Sequence, residues 1–458
     1  MSTDIMNKAK TSFNALHIES QYPIPKKIGI IQNFLGEHYF HKNGFMYSNW
    51  FWKDDELRPF EEEDFEKYNI PAHRDNYTKS GFWCGENSPM VSGTFLYSQS
   101  LRYQITGEPQ ALEYARKAFG SLKLIFALTE ATGERGFIGK PYDWKATDET
   151  SPDQYICVMH GLWEYRKIAD ISSRHHIDRL LVEMANWWRK KDYTLTYFHV
   201  VWPILPHHAP AMACLQSMAY KVSGDQTHFN ECCRLLNLAE GWPTWIDRNR
   251  RELAIPTGWP PEKKGVRWPD KVHGLEYDPS RRDYLLFCAE VGELWLTTIC
   301  ADYFMKQESS FAPLIKNAIG RHYKYMQFGL REDLLTLYNI QVDLDRDIWK
   351  SVTKKGMPFK LGVFQFTNEM CWQDFAGRLP DVCIIGHQHA PEFCPGALGL
   401  AKRMLKALDD RRMHWFVDPD GKQSNDPNEG KIHVLSSDVP VFTLLSYWRA
   451  KYHGINLE

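Results

Sequence analysis

Three carboxylates, Asp148, Glu149 and Asp153, crowd one short stretch beside Trp144. Two carboxyl groups flanking a C–O bond are what cleavage by general acid and base requires. One protonates the departing oxygen, and the other takes a proton from water or attacks directly. Asp153 falls second in a helix opened by Ser151-Pro152-Asp153-Gln154. Ser151 is placed to cap, Pro152 suits the first helical position, and Gln154 is spaced to close a capping box. The helix dipole favours the anionic form of Asp153, whereas a proton donor needs its neutral form favoured, by burial or by a like-charged neighbour such as Asp148 or Glu149.

A second acid-bearing helix start lies in Phe82-Trp83-Cys84-Gly85-Glu86-Asn87-Ser88-Pro89. Glu86 and Asn87 stand before their helix as Asp153 stands at its own, although Asn87 or Ser88 would also serve as an ordinary cap. The expectation is that Asp153 is the general acid, with Asp148 or Glu86 positioning water or acting as base. Trp83, Trp144 and Trp259 supply rings suited to stacking on the C–H faces of sugars. His208, Tyr277, Arg281, Arg282, His387 and His389 supply polar contacts. Arg281 and Arg282 can hold a carboxylate through two hydrogen bonds each, or form a solvated basic turn with Asp278 and Asp283. Gly-His-Gln-His at 386–389 offers two histidines without an obvious third ligand. In Asp418-Pro419-Asp420-Gly421 the glycine comes at the fourth place of a calcium loop instead of the sixth. Asp343, Asp345 and Asp347 read as a solvated strand edge. No metal and no cofactor is therefore expected.

The elements that must position these groups are helical. Around residue 155, Tyr155, Val158, Leu162, Tyr165 and Ala169 form one stripe and Ile156, Met159, Trp163 and Lys167 another. A helix apolar most of the way round is surrounded by other helices. Leu101-Arg102-Tyr103-Gln104-Ile105-Thr106-Gly107-Glu108 matches Met218-Ala219-Tyr220-Lys221-Val222-Ser223-Gly224-Asp225 at an offset of 117 residues. In both, a helix ends in Tyr-x-(Ile/Val)-(Thr/Ser)-Gly-(Glu/Asp). Glycine suits the left-handed turn at the helix end, and the acid suits the positive end of the next helix. This is a repeated helical hairpin.

Further helices are predicted over 154–169, 208–222, 227–238, 284–305, 311–328, 393–408 and 438–452. Strands are predicted only over 337–342 and 360–366. The long loops 127–153, 191–207, 241–283 and 330–392 alternate with short turns, so they gather at one end of an all-α, (α/α)6-type toroid. Residues 1–80 are expected to form an irregular cover, with Trp50, Phe51 and Trp52 in an amphipathic segment, and residues 81–458 the toroid.

The 55 Lys and Arg against 57 Asp and Glu give a net charge of -2, which offers nothing to nucleic acid or an anionic membrane. No stretch of 18 apolar residues suggests a membrane span. Ten scattered cysteines without a C-x-x-C pair fit reduced thiols, with Cys157, Cys214 and Cys300 as small core residues. The expected partner is a carbohydrate, leaving room for a homodimer. The expected compartment is the cytoplasm, or the periplasm if a leader has been removed.

The repeated Tyr-x-(Ile/Val)-(Thr/Ser)-Gly-(Glu/Asp) hairpins, tryptophan-rich loops and acid-bearing helix starts resemble the six-hairpin glycosidase superfamily over about residues 80–450. The nearest branches are the β-glucuronidases and unsaturated glucuronyl hydrolases. The resemblance implies an α/α toroid with catalytic carboxylates at the funnel end, hydrolysing a uronic-acid-containing saccharide. By position, Asp153 resembles the acid that protonates the substrate, and Glu86 with Asn87 the contribution of the earlier hairpin. The paired-Asp pattern of the unsaturated hydrolases is not intact. Toroid-fold polysaccharide lyases using Tyr, His and Arg, and epimerases of the acylglucosamine type using paired histidines, are the alternatives, along with a non-catalytic glycan- or protein-binding scaffold.

Overall fold

The structure, a computed structural model, describes residues 16–53, 56–68, 70, 76–197, 200–204, 208–238, 271–272, 275–276, 291–307, 312–327, 330, 332–334, 340–343, 348–351, 359–361, 364–366, 376–417, 422–424 and 432–458. Its helices are α1 (Ile24–His38), α2 (Glu62–Lys67), α3 (Lys79–Gly85), α4 (Ser88–Thr106), α5 (Pro109–Glu130), α6 (Pro152–Tyr165), α7 (Ile171–Lys190), α8 (Ala209–Ser223), α9 (Gln226–Leu238), α10 (Val291–Met305), α11 (Ala312–Gln327), α12 (Arg378–His389), α13 (Ala397–Ala407) and α14 (Asp438–Tyr452).

Six of them close a ring. Helices α4, α6, α8, α10, α12 and α14 each pack on the next, and α14 returns to α4. Outside them lie α5, α7, α9, α11, α13 and α1, with α1 against α14. The fold is thus the expected (α/α)6 toroid. Inner helices are buried on every side, as α4 is from Ser88 to Arg102, while outer helices such as α7 bury one stripe, from Ile177 to Trp188. That difference is the amphipathic rule for two concentric layers.

The repeated hairpin signature has the geometry read from it. Gly107 and Gly224 hold φ of 67° and 73°, and each donates its N–H to the tyrosine carbonyl four residues back, at 2.8 and 2.7 Å. Adjacent inner helices also need glycine. A Cβ on Gly161 of α6 would stand 2.2 Å from the Gly93 carbonyl oxygen of α4, so the two backbones touch.

Three expectations are corrected. Residues 378–389, read as loop, form inner helix α12; Pro380 and Gly386 mask its pattern, but Pro380 lies in the first turn, where proline is tolerated. Within the supposed irregular cover, α1 is an outer helix of the ring. Trp50-Phe51-Trp52 lies in strand β1 (Asn49–Lys53), which pairs with β2 (Glu56–Pro59) and, across nearly the whole chain, with a strand preceding α14. All three rings are buried because both faces of β1 are covered. The amphipathic alternation of a half-exposed strand is therefore missing.

Strands are also more numerous than expected: β3 (Thr194–Tyr197) with β4 (Val200–Pro203), β5 (Lys271–Val272) with β6 (Leu275–Glu276), β7 (Ile340–Asp343) with β8 (Ile348–Ser351), then β9 (Phe359–Leu361), β10 (Phe364–Phe366), β11 (His414–Val417), β12 (Lys422–Ser424) and β13 (Ile432–Ser436). Seven form one sheet in the order β2-β1-β13-β11-β12-β10-β9. Strand β13 runs straight into α14, and the Ser437 N–H donates to the Ser48 carbonyl at 2.9 Å. The sheet thereby fixes where α14 begins. No described helix is long and apolar enough to cross a membrane.

Candidate active site

The inner helices begin at one end of the ring, and their first residues meet there. Asp438 opens α14 and Arg378 opens α12, with a guanidinium-to-carboxylate distance of 3.2 Å. Gln154, in the first turn of α6, donates its side-chain N–H to Asp153 Oδ2 at 2.9 Å and to Asn87 Oδ1, before α4, at 3.1 Å. Its own carbonyl accepts from the Met90 N–H at 3.0 Å. Gln154 therefore ties two helix mouths together and closes no capping box, and Ser151 makes no side-chain cap. Asn87 makes none either, so capping does not account for it.

Glu86 Oε1 lies 3.4 Å from Lys140 Nζ and accepts from the Tyr197 hydroxyl at 3.3 Å. The ammonium also sits 4.6 Å from the centre of the Tyr197 ring. Lys140 is buried, while Glu86 and Asp153 are half-buried.

Asp438 was not singled out in the sequence and is the most perturbed acid of the group. It is 2% exposed, and its carboxyl is pushed up to about 7, first by burial. Arg378 and Lys140 oppose the rise, and the charges of Asp153 and Glu86 add to it. Those influences place Glu86, Asp153, Asp438, Lys140 and Arg378 in one electrostatic cluster. Asp438 Oδ1 has no hydrogen-bond partner among the described residues, nor do the hydroxyls of Ser88, Ser151 and Ser437 at the same helix starts. Unsatisfied buried polar atoms each cost about 1–3 kcal/mol. Four at one mouth are a departure from core economy of the kind found at functional sites. The one signal in sequence was Ser437-Asp438-Val439-Pro440, another acid-bearing helix start.

The structure brings some expected residues to this mouth and removes others. Glu86, Asn87 and Asp153 meet there. His208 immediately precedes α8, so it belongs to the same end. Asp148 is exposed on the preceding loop. Trp83 is buried between Phe60 and Phe65, at 5.1 and 6.0 Å, and packs the core instead of presenting a sugar platform. The Trp144 ring stacks on His41 at 4.5 Å and on Phe45 at 5.3 Å, and meets Tyr47 edge-on; protein engages it too. His387 and His389 lie at the last turn of α12, about 17 Å along the helix from Arg378. They belong to the opposite end, where His389 Nε2 bonds Asp302 at 2.8 Å. Trp259, Tyr277, Arg281 and Arg282 lie outside the described residues, as do Asp418-Pro419-Asp420-Gly421.

Together these features define a closed six-hairpin α/α toroid with a carboxylate cluster at the inner-helix starts. No protein-family model matches the sequence, and no curated protein matches it. Among solved structures the chain is similar to an unsaturated glucuronyl hydrolase specific for heparin, with 10% identity, 99% of each chain covered and a TM-score of 0.51. It is also similar to an α-1,6-mannanase of a Salegentibacter species (10% identity, 95% of this chain and 99% of that one, TM-score 0.43). A sugar epimerase from a ruminal bacterium matches at 12% identity, over 94% and 99% of the two chains, with a TM-score of 0.44. At such identity the likeness to the hydrolase is one of fold.

Proposed function

We propose that this protein is a glycoside hydrolase acting on a uronic-acid-containing saccharide at the mouth formed by α4, α6 and α14. The observation that carries the reading is the charge balance of the cluster. Three carboxyls, Glu86, Asp153 and Asp438, face two cations, Lys140 and Arg378. A buried cluster of this composition is neutral when it holds one proton, and the raised Asp438 carboxyl is where burial favours keeping it near pH 7. Such a proton belongs to the interacting set of groups. A site that shares one acid proton among three interacting carboxyls has the two components of glycosidic cleavage, an acid and a base.

The roles follow from exposure. Asp153, half-buried at the mouth, donates the proton to the departing glycosidic oxygen. Glu86, oriented by Lys140 and the Tyr197 hydroxyl, takes a proton from the attacking water. Asp438, too buried to touch substrate, is a positioning residue that keeps the cluster's proton count. The unsaturated glucuronyl hydrolase of similar fold acts on a uronide, which fits this substrate class. The epimerase alternative loses support, since its histidine pair sits at the far end of α12.

The test is a panel of uronides and matching neutral glycosides with product mass recorded. Hydrolysis adds about 18 Da, one water, per bond cleaved. The expected result is turnover of uronides that Asp153→Asn lowers by about 10²-fold or more. Full turnover by Asp153→Asn, or products without added water, overturns the assignment.

A further inference from the structure

Halfway along the ring wall, away from the carboxylate cluster, three side chains from consecutive inner helices converge. They are His160 on α6, Cys214 on α8 and Cys300 on α10. The three are buried, and their ligand atoms all lie within 4.8 Å of one another. His160 Nε2 is 3.9 Å from Cys300 Sγ, and Cys214 Sγ is 3.6 Å from the Cys300 carbonyl oxygen.

We propose that His160, Cys214 and Cys300 form a zinc site that joins α6, α8 and α10 inside the toroid wall. An imidazole carries two polar nitrogens, yet among the described residues His160 has only a thiol at hydrogen-bonding range and the Tyr303 ring edge-on at 6.1 Å. Coordination would replace that long thiol contact with a metal–nitrogen bond. Tetrahedral zinc, with bonds of about 2.3 Å to sulfur and about 2.0 Å to nitrogen, holds its ligand atoms about 3.5–3.8 Å apart. The observed nitrogen-to-sulfur separation needs a contraction of only a few tenths of an ångström.

Charge selects the ion. Binding converts two thiols to thiolates and releases two protons. With one neutral imidazole and a divalent cation, the site is then uncharged, which a dry core tolerates. A monovalent soft ion such as Cu(I) would leave one negative charge buried. Three protein ligands leave the fourth position for water or a small ligand, as in open zinc sites.

The test uses the full chain and zinc or cobalt alone, and it does not depend on the hydrolase reading. The protein is stripped with chelator, reloaded, and its metal content measured; close to one zinc per chain is expected. Cobalt loading should give sulfur-to-metal charge-transfer bands, and X-ray absorption of the zinc form should show two sulfur ligands and one nitrogen. Cys214→Ser and Cys300→Ser should lose these bands, while Cys233→Ser, at an exposed thiol, keeps them. If either core variant fails to fold, the wild-type absorption spectrum still decides. Wild-type protein that holds no stoichiometric metal, or holds it without sulfur ligands, overturns the proposal.

Discussion

Replacing Asp438 by Asn removes the carboxyl of the helix-mouth cluster that burial holds far above its ordinary value, raised from 3.8 to about 7. In wild-type protein the folded state binds that proton more tightly than the unfolded chain does. The stabilisation is therefore fully present below about pH 4 and is lost as pH rises through about 7. One pH unit corresponds to about 1.4 kcal/mol, so the loss across this window approaches ~4 kcal/mol. That figure is a ceiling, because four charged neighbours act on Asp438 across the same interval: Arg378 at the start of α12, Asp153 in α6, Glu86 before α4 and Lys140 in the loop preceding α6. Asn cannot ionise. The Arg378 ion pair is already counted in the raised value, because Arg378 opposes the rise, so its loss adds no separate slope. Urea unfolding followed by tryptophan fluorescence between pH 4.5 and 8 measures the quantity directly. The wild-type advantage over Asp438→Asn should shrink steadily as pH rises, and a pH-independent difference refutes the reasoning.

Two further perturbations separate the ends of the ring. Glu86→Gln preserves the shape of the side chain that meets Lys140 at 3.4 Å and Tyr197 at 3.3 Å but cannot accept a proton from water. It should lower kcat by about 10²–10⁴-fold on any substrate the protein cleaves; steady-state kinetics on a responsive uronide checks this. At the opposite end, Arg449 is buried between Asp381 at 2.6 Å and Asp302 at 2.7 Å. Arg449→Met takes the guanidinium from Asp381 while Asp302 keeps Lys306 at 2.8 Å, and should cost about 3–5 kcal/mol of stability in chemical denaturation, while the pH profile of any remaining activity keeps its shape.

The hairpins were legible because their causes are local. Gly107 and Gly224 need left-handed backbone whatever surrounds them, and the all-round apolar surface of 152–165 can be satisfied only among other helices. The acid-bearing helix starts at Glu86 and Asp153 were visible for the same reason. Helix α12 escaped notice because it is short, opens with proline in its first turn and carries glycine inside it. Its helicity comes from burial within the ring more than from propensity. Trp83 and Trp144 misled because aromatic composition cannot tell a ring facing a cleft from one packed against Phe60 or His41.

Sequence by itself determined the helical repeat, the layering of inner and outer helices and the presence of acids at helix mouths. These depend on φ angles, 3.6-residue periodicity and helix-end electrostatics over a few residues. Only tertiary structure decided which mouths face one another, that strand β13 delivers Asp438 to Glu86 and Asp153, and that His389 points away from them. Burial and Coulomb energy depend on distances between residues hundreds of positions apart, and those distances exist only once the ring has closed.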